Sequence, residues 1–322
     1  MLRRLIPDPF MIALVVTLFL ATVLPVHGEG AVIVGWLSTA TIILLFFFHG
    51  AKLSRDAVLT GLRHWRLHLV ILGSTFLMFP VLCLGLASAL PGLVPVALWT
   101  GILYLAALPS TVQSSIAFVS IARGNVPAAI ASASASQVLG VLLTPLLVGL
   151  LAGASGGQVE ISGVTFIMLE ILAPFIAGHL LRPWIGAWVQ RHKSLIGITD
   201  RGTIVIAVYS AFSGAVLQGV WSKLPLPVLG ILCALCIFIL ICALLFTHGM
   251  ARLLKFSRDD EIAIVFCGTK KSLIQGVPMA RVLFAGPDLG LILLPIMIFH
   301  QLQLMVCASI ARRYAKGHVD EG

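Results

Sequence analysis

Charge is scarce in this sequence. Of 322 residues only 10% are Asp, Glu, Lys or Arg, against 59% hydrophobic, whereas a soluble domain carries about 25% charged residues. No stretch is long or polar enough to form a separate soluble domain. The 21 Lys and Arg outnumber the 12 Asp and Glu and give a net charge of +9. They are dispersed along the chain rather than gathered into a basic footprint, which argues against a nucleic-acid partner. The six cysteines, Cys83, Cys233, Cys236, Cys242, Cys267 and Cys307, lie mostly within apolar runs. Cys233-x-x-Cys236 lacks a second pair or a nearby His, so packed thiols are expected rather than a metal or redox centre. Gly-x-Ser-x-Gly, His-Glu-x-x-His and paired aspartates are missing, and no enzyme is expected. Alternating segments of about ten residues, the mark of a membrane barrel, are missing too.

What the chain has in abundance is long apolar runs. Set against the charged breaks they give ten spans, at about 9–26, 31–50, 68–90, 94–121, 126–152, 161–182, 202–220, 226–250, 260–284 and 289–311. Each is near the roughly 20 residues that a membrane helix needs. Helices are the expected element, because backbone polar groups in lipid must be satisfied within the segment. The first run follows Met1-Leu-Arg-Arg4, and the site after Val26-His-Gly28 lacks a small-x-small pattern. It is expected to stay as the first helix rather than leave as a signal peptide.

The basic residues test the count. Alternate loops carry 17 Lys and Arg on one side and only Lys223 and Arg281 on the other, with Lys270 and Lys271 inside a span. By the positive-inside rule both termini are cytoplasmic. The expected location is the cell membrane, the inner one in a bacterium. Ten spans divide into two sets of five, about 1–152 and 153–322, and an odd number per set makes the second enter inverted. Such carriers place their sites where broken helices from corresponding positions meet. The fourth and ninth spans correspond, and both are interrupted.

In the fourth, Pro109 breaks the helix ahead of Ser110, Thr111, Gln113, Ser114 and Ser115. A proline kink with back-bonded hydroxyls is the plain alternative, but five polar residues in six positions exceed what a kink requires. In the ninth, Gly268 precedes Thr269, Lys270, Lys271 and Ser272. Adjacent helical residues point about 100° apart, so both lysines face one site only if the backbone is unwound. The fifth span offers Ser132, Ser136 and Gln137; packing of small residues and a binding role are equally open there. Glu170 is the one acidic residue deep in a span, a candidate counter-ion to a lysine or proton carrier, or else a tolerated residue lining a water-filled cavity. In the tenth, His300, Gln301 and Gln303 form a polar patch, in which His300 is read as a packing residue ahead of a proton relay.

At these residues the chain resembles the bile acid:sodium symporter superfamily, in the branch of solute carrier family 10 member 7 and its bacterial homologues. The matching pieces are Pro109–Ser115, Gly124-Asn125, Leu139-Gly140, Thr144-Pro145, Lys271-Ser272-Leu273, Gly276-x-Pro278-Met279, Phe284-Ala-Gly286, Leu294-Pro295 and His300-x-x-Gln303. The resemblance implies an all-α, ten-helix fold with a panel at about 9–50 and 161–220. A core at about 68–152 and 226–311 contains broken helices 4 and 9, which cross. It also implies alternating access, with a sodium site near Ser114, Ser115 and Ser132 in the ion-coupled members. The ninth-helix glutamate of those members falls here on Phe266, and Lys270 replaces a glutamine ligand.

The expected function is secondary transport of a small solute, an organic anion by the lysines' charge. Coupling to Na+ or H+ is open, with sodium weakened by the missing glutamate. The alternatives are a sodium-dependent symporter of bile-acid-like solutes and a channel or regulatory membrane protein. Lipids and the solute are the expected partners, and the chain is expected as monomer or homodimer.

Overall fold

The structure, a computed structural model, describes residues 9–52, 64–154, 161–219, 224–284, 286 and 288–317. Helix is the only regular element among them. In chain order these are α1 (Pro9–Val23), α2 (Gly28–Lys52), α3 (Trp65–Ala89), α4 (Val96–Ala107), α5 (Val112–Ile121) and α6 (Val126–Ala154). There follow α7 (Ile161–Arg191), α8 (Lys193–Leu217), α9 (Leu226–Leu253), α10 (Arg258–Gly268), α11 (Leu273–Leu283) and α12 (Leu289–Gly317). Six of them, α2, α3, α6, α8, α9 and α12, are long and apolar enough to cross a membrane. The pair α4 and α5, bent by 62° at its break, makes a seventh if taken as one span. The protein is an all-helical, multi-pass membrane protein.

Two compact units share the chain. The first holds Met1–Lys52, Leu169–Pro225 and Val277–Leu293. Within it α1 and α2 both pack on α8. The crossing of α2 and α7 is set by reciprocal glycines. A Cβ added at Gly50 would strike the Phe175 carbonyl, and one at Gly178 would strike the Phe47 carbonyl. Small residues at such points let membrane helices approach closely. Lys52 Nζ meets the buried Asp200 Oδ2 at 2.9 Å and ties the end of α2 to α8.

The second unit holds Leu53–Met168, Leu226–Gly276 and Leu294–Gly322. Its centre is α10, which packs on α3, α5, α6 and α9 and is buried from Ile262 to Gly268. The start of α10 explains how so short a helix is held. Ser257 Oγ accepts from the Asp260 N–H, and Asp259, Asp260 and Glu261 occupy the first turn. Acidic residues there complement the positive end of the helix dipole. Asn125 grips the same turn: its N–H donates to the Asp259 carbonyl at 3.0 Å and its Nδ2 to Asp260 Oδ1 at 2.7 Å. Its Oδ1 accepts from the Ala128 N–H at 3.0 Å and so caps α6 as well.

Helix α3 is interrupted by a π-turn at Ser74–Met78. There the Phe79 N–H reaches the Ser74 carbonyl, one residue further back than in an α-helix. The Thr75 carbonyl therefore loses its usual donor, and Pro80 supplies no N–H to replace it.

Candidate functional site

The site begins with two breaks. Between α4 and α5 the chain is extended over Leu108–Thr111. Between α10 and α11 it is unwound from Thr269 to Ser272. The condition for both lysines to turn inward is thus met. The breaks are joined directly: the Ser272 N–H donates to the Pro109 carbonyl at 2.9 Å. Thr111 Oγ1 donates to the Lys271 carbonyl at 2.9 Å, and Ser110 Oγ to the Cys267 carbonyl at 2.7 Å. Ser115 Oγ reaches the Phe266 carbonyl at 3.4 Å. Ser110 and Ser115 take up carbonyls that the end of α10 leaves without a helical donor, and Thr111 takes one inside the unwound stretch.

Lys271 closes the other helix end. Its Nζ donates to the carbonyls of Thr75 at 2.8 Å, Ala106 at 2.7 Å and Leu108 at 2.8 Å. An ammonium has three N–H donors, and all three are used. Two of these acceptors are orphan carbonyls at the C-terminal, negative end of α4; the third is the one freed by the π-turn. Thr144 Oγ1 takes the remaining Ala107 carbonyl at 2.9 Å. The ammonium also lies 4.2 Å from the centre of the Phe79 ring. The Lys271 backbone is held by Gln303, whose Oε1 accepts its N–H and whose Nε2 donates to its carbonyl, both at 3.0 Å. His300, one turn away on α12, places Nδ1 2.9 Å from Gln303 Nε2.

Lys270 is the contrast. It too is wholly buried, and its Nζ sits 4.0 Å from the centre of the Phe118 ring. Among the described residues that Nζ has no hydrogen-bond partner. A buried ammonium over an aromatic face and without a hydrogen-bond acceptor is incompletely compensated.

The other residues singled out in the sequence divide in two. Ser136 Oγ accepts the Ser110 N–H at 2.9 Å, so it belongs with the breaks. Ser272 Oγ accepts the Gln275 N–H and starts α11; Thr269 Oγ1 back-bonds to the Val265 carbonyl. Ser132 Oγ pairs instead with His68 Nδ1 at 2.6 Å. Ser114 Oγ is buried without a hydrogen-bond partner among the described residues. Gln113 is exposed and Gln137 half-buried, and neither makes any of these contacts. Glu170 lies on α7 with its side chain outside the described residues.

Several participants escaped the sequence reading. His68 opens the 68–90 run two residues after Arg66, and among the described residues both amide atoms of the buried Gln275 are unpartnered. Phe79 and Phe118 look like ordinary core residues. Pro80 was the one signal for the Thr75 carbonyl. The resembling motifs also gain physical meaning here. A Cβ at Gly140 would come within 2.6 Å of the Pro109 ring, so Gly140 lets α6 carry the first break. Tyr104 donates its hydroxyl to the Gly276 carbonyl, bracing α11 on α4.

Apolar helices crossing a membrane, with two polar breaks joined inside one unit, define the class of multi-pass membrane transporters. Residues 8–316 match the family described as SBF-like CPA transporter family, and the chain belongs to it. An uncharacterised protein of Pseudomonas aeruginosa is 55% identical over 319 residues, covering 98% of this chain and 96% of its own. YfeH of Escherichia coli, whose name assigns it to the symporters, is 49% identical over 309 residues, covering 96% and 93%. Sodium/bile acid cotransporter 7 of the rat is 27% identical over 319 residues, covering 95% and 92%.

Proposed function

We propose that the chain is a secondary carrier, not an enzyme, that moves a small organic anion by alternating access. One observation carries this: the Lys270 ammonium is buried beside the joined breaks with no hydrogen-bond partner. An intramembrane charge left in that state points to a ligand. Lys271 cannot take the role, because its three donors are held by carbonyls.

The architecture proposed with this reading is ten spans in two inverted sets of five, in the cell membrane with both termini cytoplasmic. Pairing α4 with α5, and α10 with α11, as broken spans supports it. The grouping of α1, α2, α8 and most of α7 in one compact unit supports a panel of those helices, though Val277–Leu293, expected in the core, falls in the same unit. Coupling to sodium is the second reading, favoured by the rat relative's name and by the unpartnered Ser114 oxygen. Against it, Ser132 is taken by His68 and Ser115 by a carbonyl.

The test is a screen of organic anions by thermal shift, with and without sodium, followed by counterflow of a hit in proteoliposomes. Wild type should exchange the hit without sodium, and Lys270→Met should not. Equal exchange by Lys270→Met would remove Lys270 from the site, and strict dependence on sodium would favour the second reading.

A further inference from the structure

Arg281, one of the two basic residues expected on the side opposite the termini, takes no part in the joined breaks. In the first unit it lines a cavity of about 490 Å³, within the size range of small-molecule sites. Thr39 of α2, Ser210 and Gln218 of α8 and its end, and Arg281 of α11 form the polar wall. Ile42 and Leu289 contribute to the apolar wall.

Arg281 Nη1 donates to Ser210 Oγ at 2.8 Å. A guanidinium has five N–H donors in a planar fork and accepts nothing. Among the described residues, no carboxylate lies within ion-pair distance of it; the ion pairs found are Lys52–Asp200 and His248–Glu261. Four donors therefore remain, on a half-buried cation whose planar geometry suits a carboxylate or phosphate held by two parallel bonds. Because the Ser210 oxygen accepts from Arg281, its own hydrogen points elsewhere and can serve the same anion. The fork lies against α2 at Gly35, where an added Cβ would be in ordinary contact with Nη2 at 3.6 Å.

We propose that this cavity binds the oxyanion head of a small carboxylate or phosphate, with the Arg281 guanidinium as its main contact and the apolar wall holding the body. The head belongs either to a free solute or to an anionic lipid. The inference goes beyond the transport reading, and its test requires binding alone.

Phenyl phosphate and benzoate are titrated against the full chain in phosphatidylcholine nanodiscs, with phenol as the uncharged control. Wild type should bind both anions and not phenol. Arg281→Gln should weaken binding by at least about tenfold, and Arg281→Lys by less, since it keeps charge but loses the fork. Gly214→Leu is the second variant: Gly214 lines the cavity and a Cβ there meets nothing within 4 Å, so the added side chain is aimed to occupy the cavity. It should abolish binding even where Arg281→Gln fails to fold. Repeating the titration in nanodiscs half of phosphatidylglycerol separates the sources. Competition assigns the site to a lipid headgroup, and unchanged affinity assigns it to a free anion. The proposal is overturned if wild type binds neither anion and retains no phosphatidylglycerol, or if Gly214→Leu binds as wild type does.

Discussion

Lys270 and Lys271 are adjacent, equally buried and each set over an aromatic ring, at 4.0 and 4.2 Å. Their surroundings differ in one respect. Around Lys271 the chain has gathered three carbonyls that secondary structure left unclaimed; around Lys270 it has gathered none. The first lysine completes the fold, while the second is a charge that the fold tolerates. Equal burial thus conceals opposite roles, and what separates them is the supply of acceptors.

Substitutions can break that distinction. The largest effect is expected for Lys271→Met, which strips three buried carbonyls of their donor. At 1–3 kcal/mol for each unsatisfied group, the loss is at least about 3 kcal/mol. Monodisperse protein should largely disappear on size exclusion; recovery at wild-type level would dismantle the contrast. Lys270→Met should do the reverse. Removing an uncompensated intramembrane charge leaves thermal stability unchanged or raises it by about 2 kcal/mol, while counterflow falls by more than about tenfold. A large fall in unfolding temperature would mean that Lys270 is structural after all.

Two milder changes probe the acceptors. Gly140→Ala drives a Cβ to within 2.6 Å of the Pro109 ring and should shift the neighbouring Leu108 carbonyl. A cost of about 1–3 kcal/mol is expected from such overpacking, read as a lower unfolding temperature. No change would show that the break yields freely. Thr144→Val leaves the Ala107 carbonyl bare between two that Lys271 holds, and should cost about 1 kcal/mol. A larger loss in the same thermal measurement would reveal that the cage depends on its neighbour.

Much of the fold was legible because apolar length and charge placement are written residue by residue. The two breaks were legible for the same reason: Pro109 lacks a donor, and Gly268 stands ahead of two misplaced lysines. Which lysine does what was not legible. That depends on where free carbonyls point, and the Thr75 carbonyl is free only through a shift of one residue in the bonding of α3. Gln113 misled for a related reason. Helix α5 restarts at Val112, so its phase is set by the break and not by the preceding turns, and Gln113 emerges on the exposed side. His68 stayed hidden because it opens its apolar run two residues after Arg66, where a polar side chain is ordinary.

The π-turn of α3 has a mechanical consequence. One nitrogen atom of Lys271 is bonded to α3 at Thr75 and to the end of α4 at Ala106 and Leu108, and its own backbone is clasped by Gln303 of α12. A load applied to any of these segments is divided among the others before a single bond gives way. The unwound stretch, which alone would be the softest part of the unit, is riveted at its middle. Deformation is then displaced outward, to the loops and helix ends that surround it.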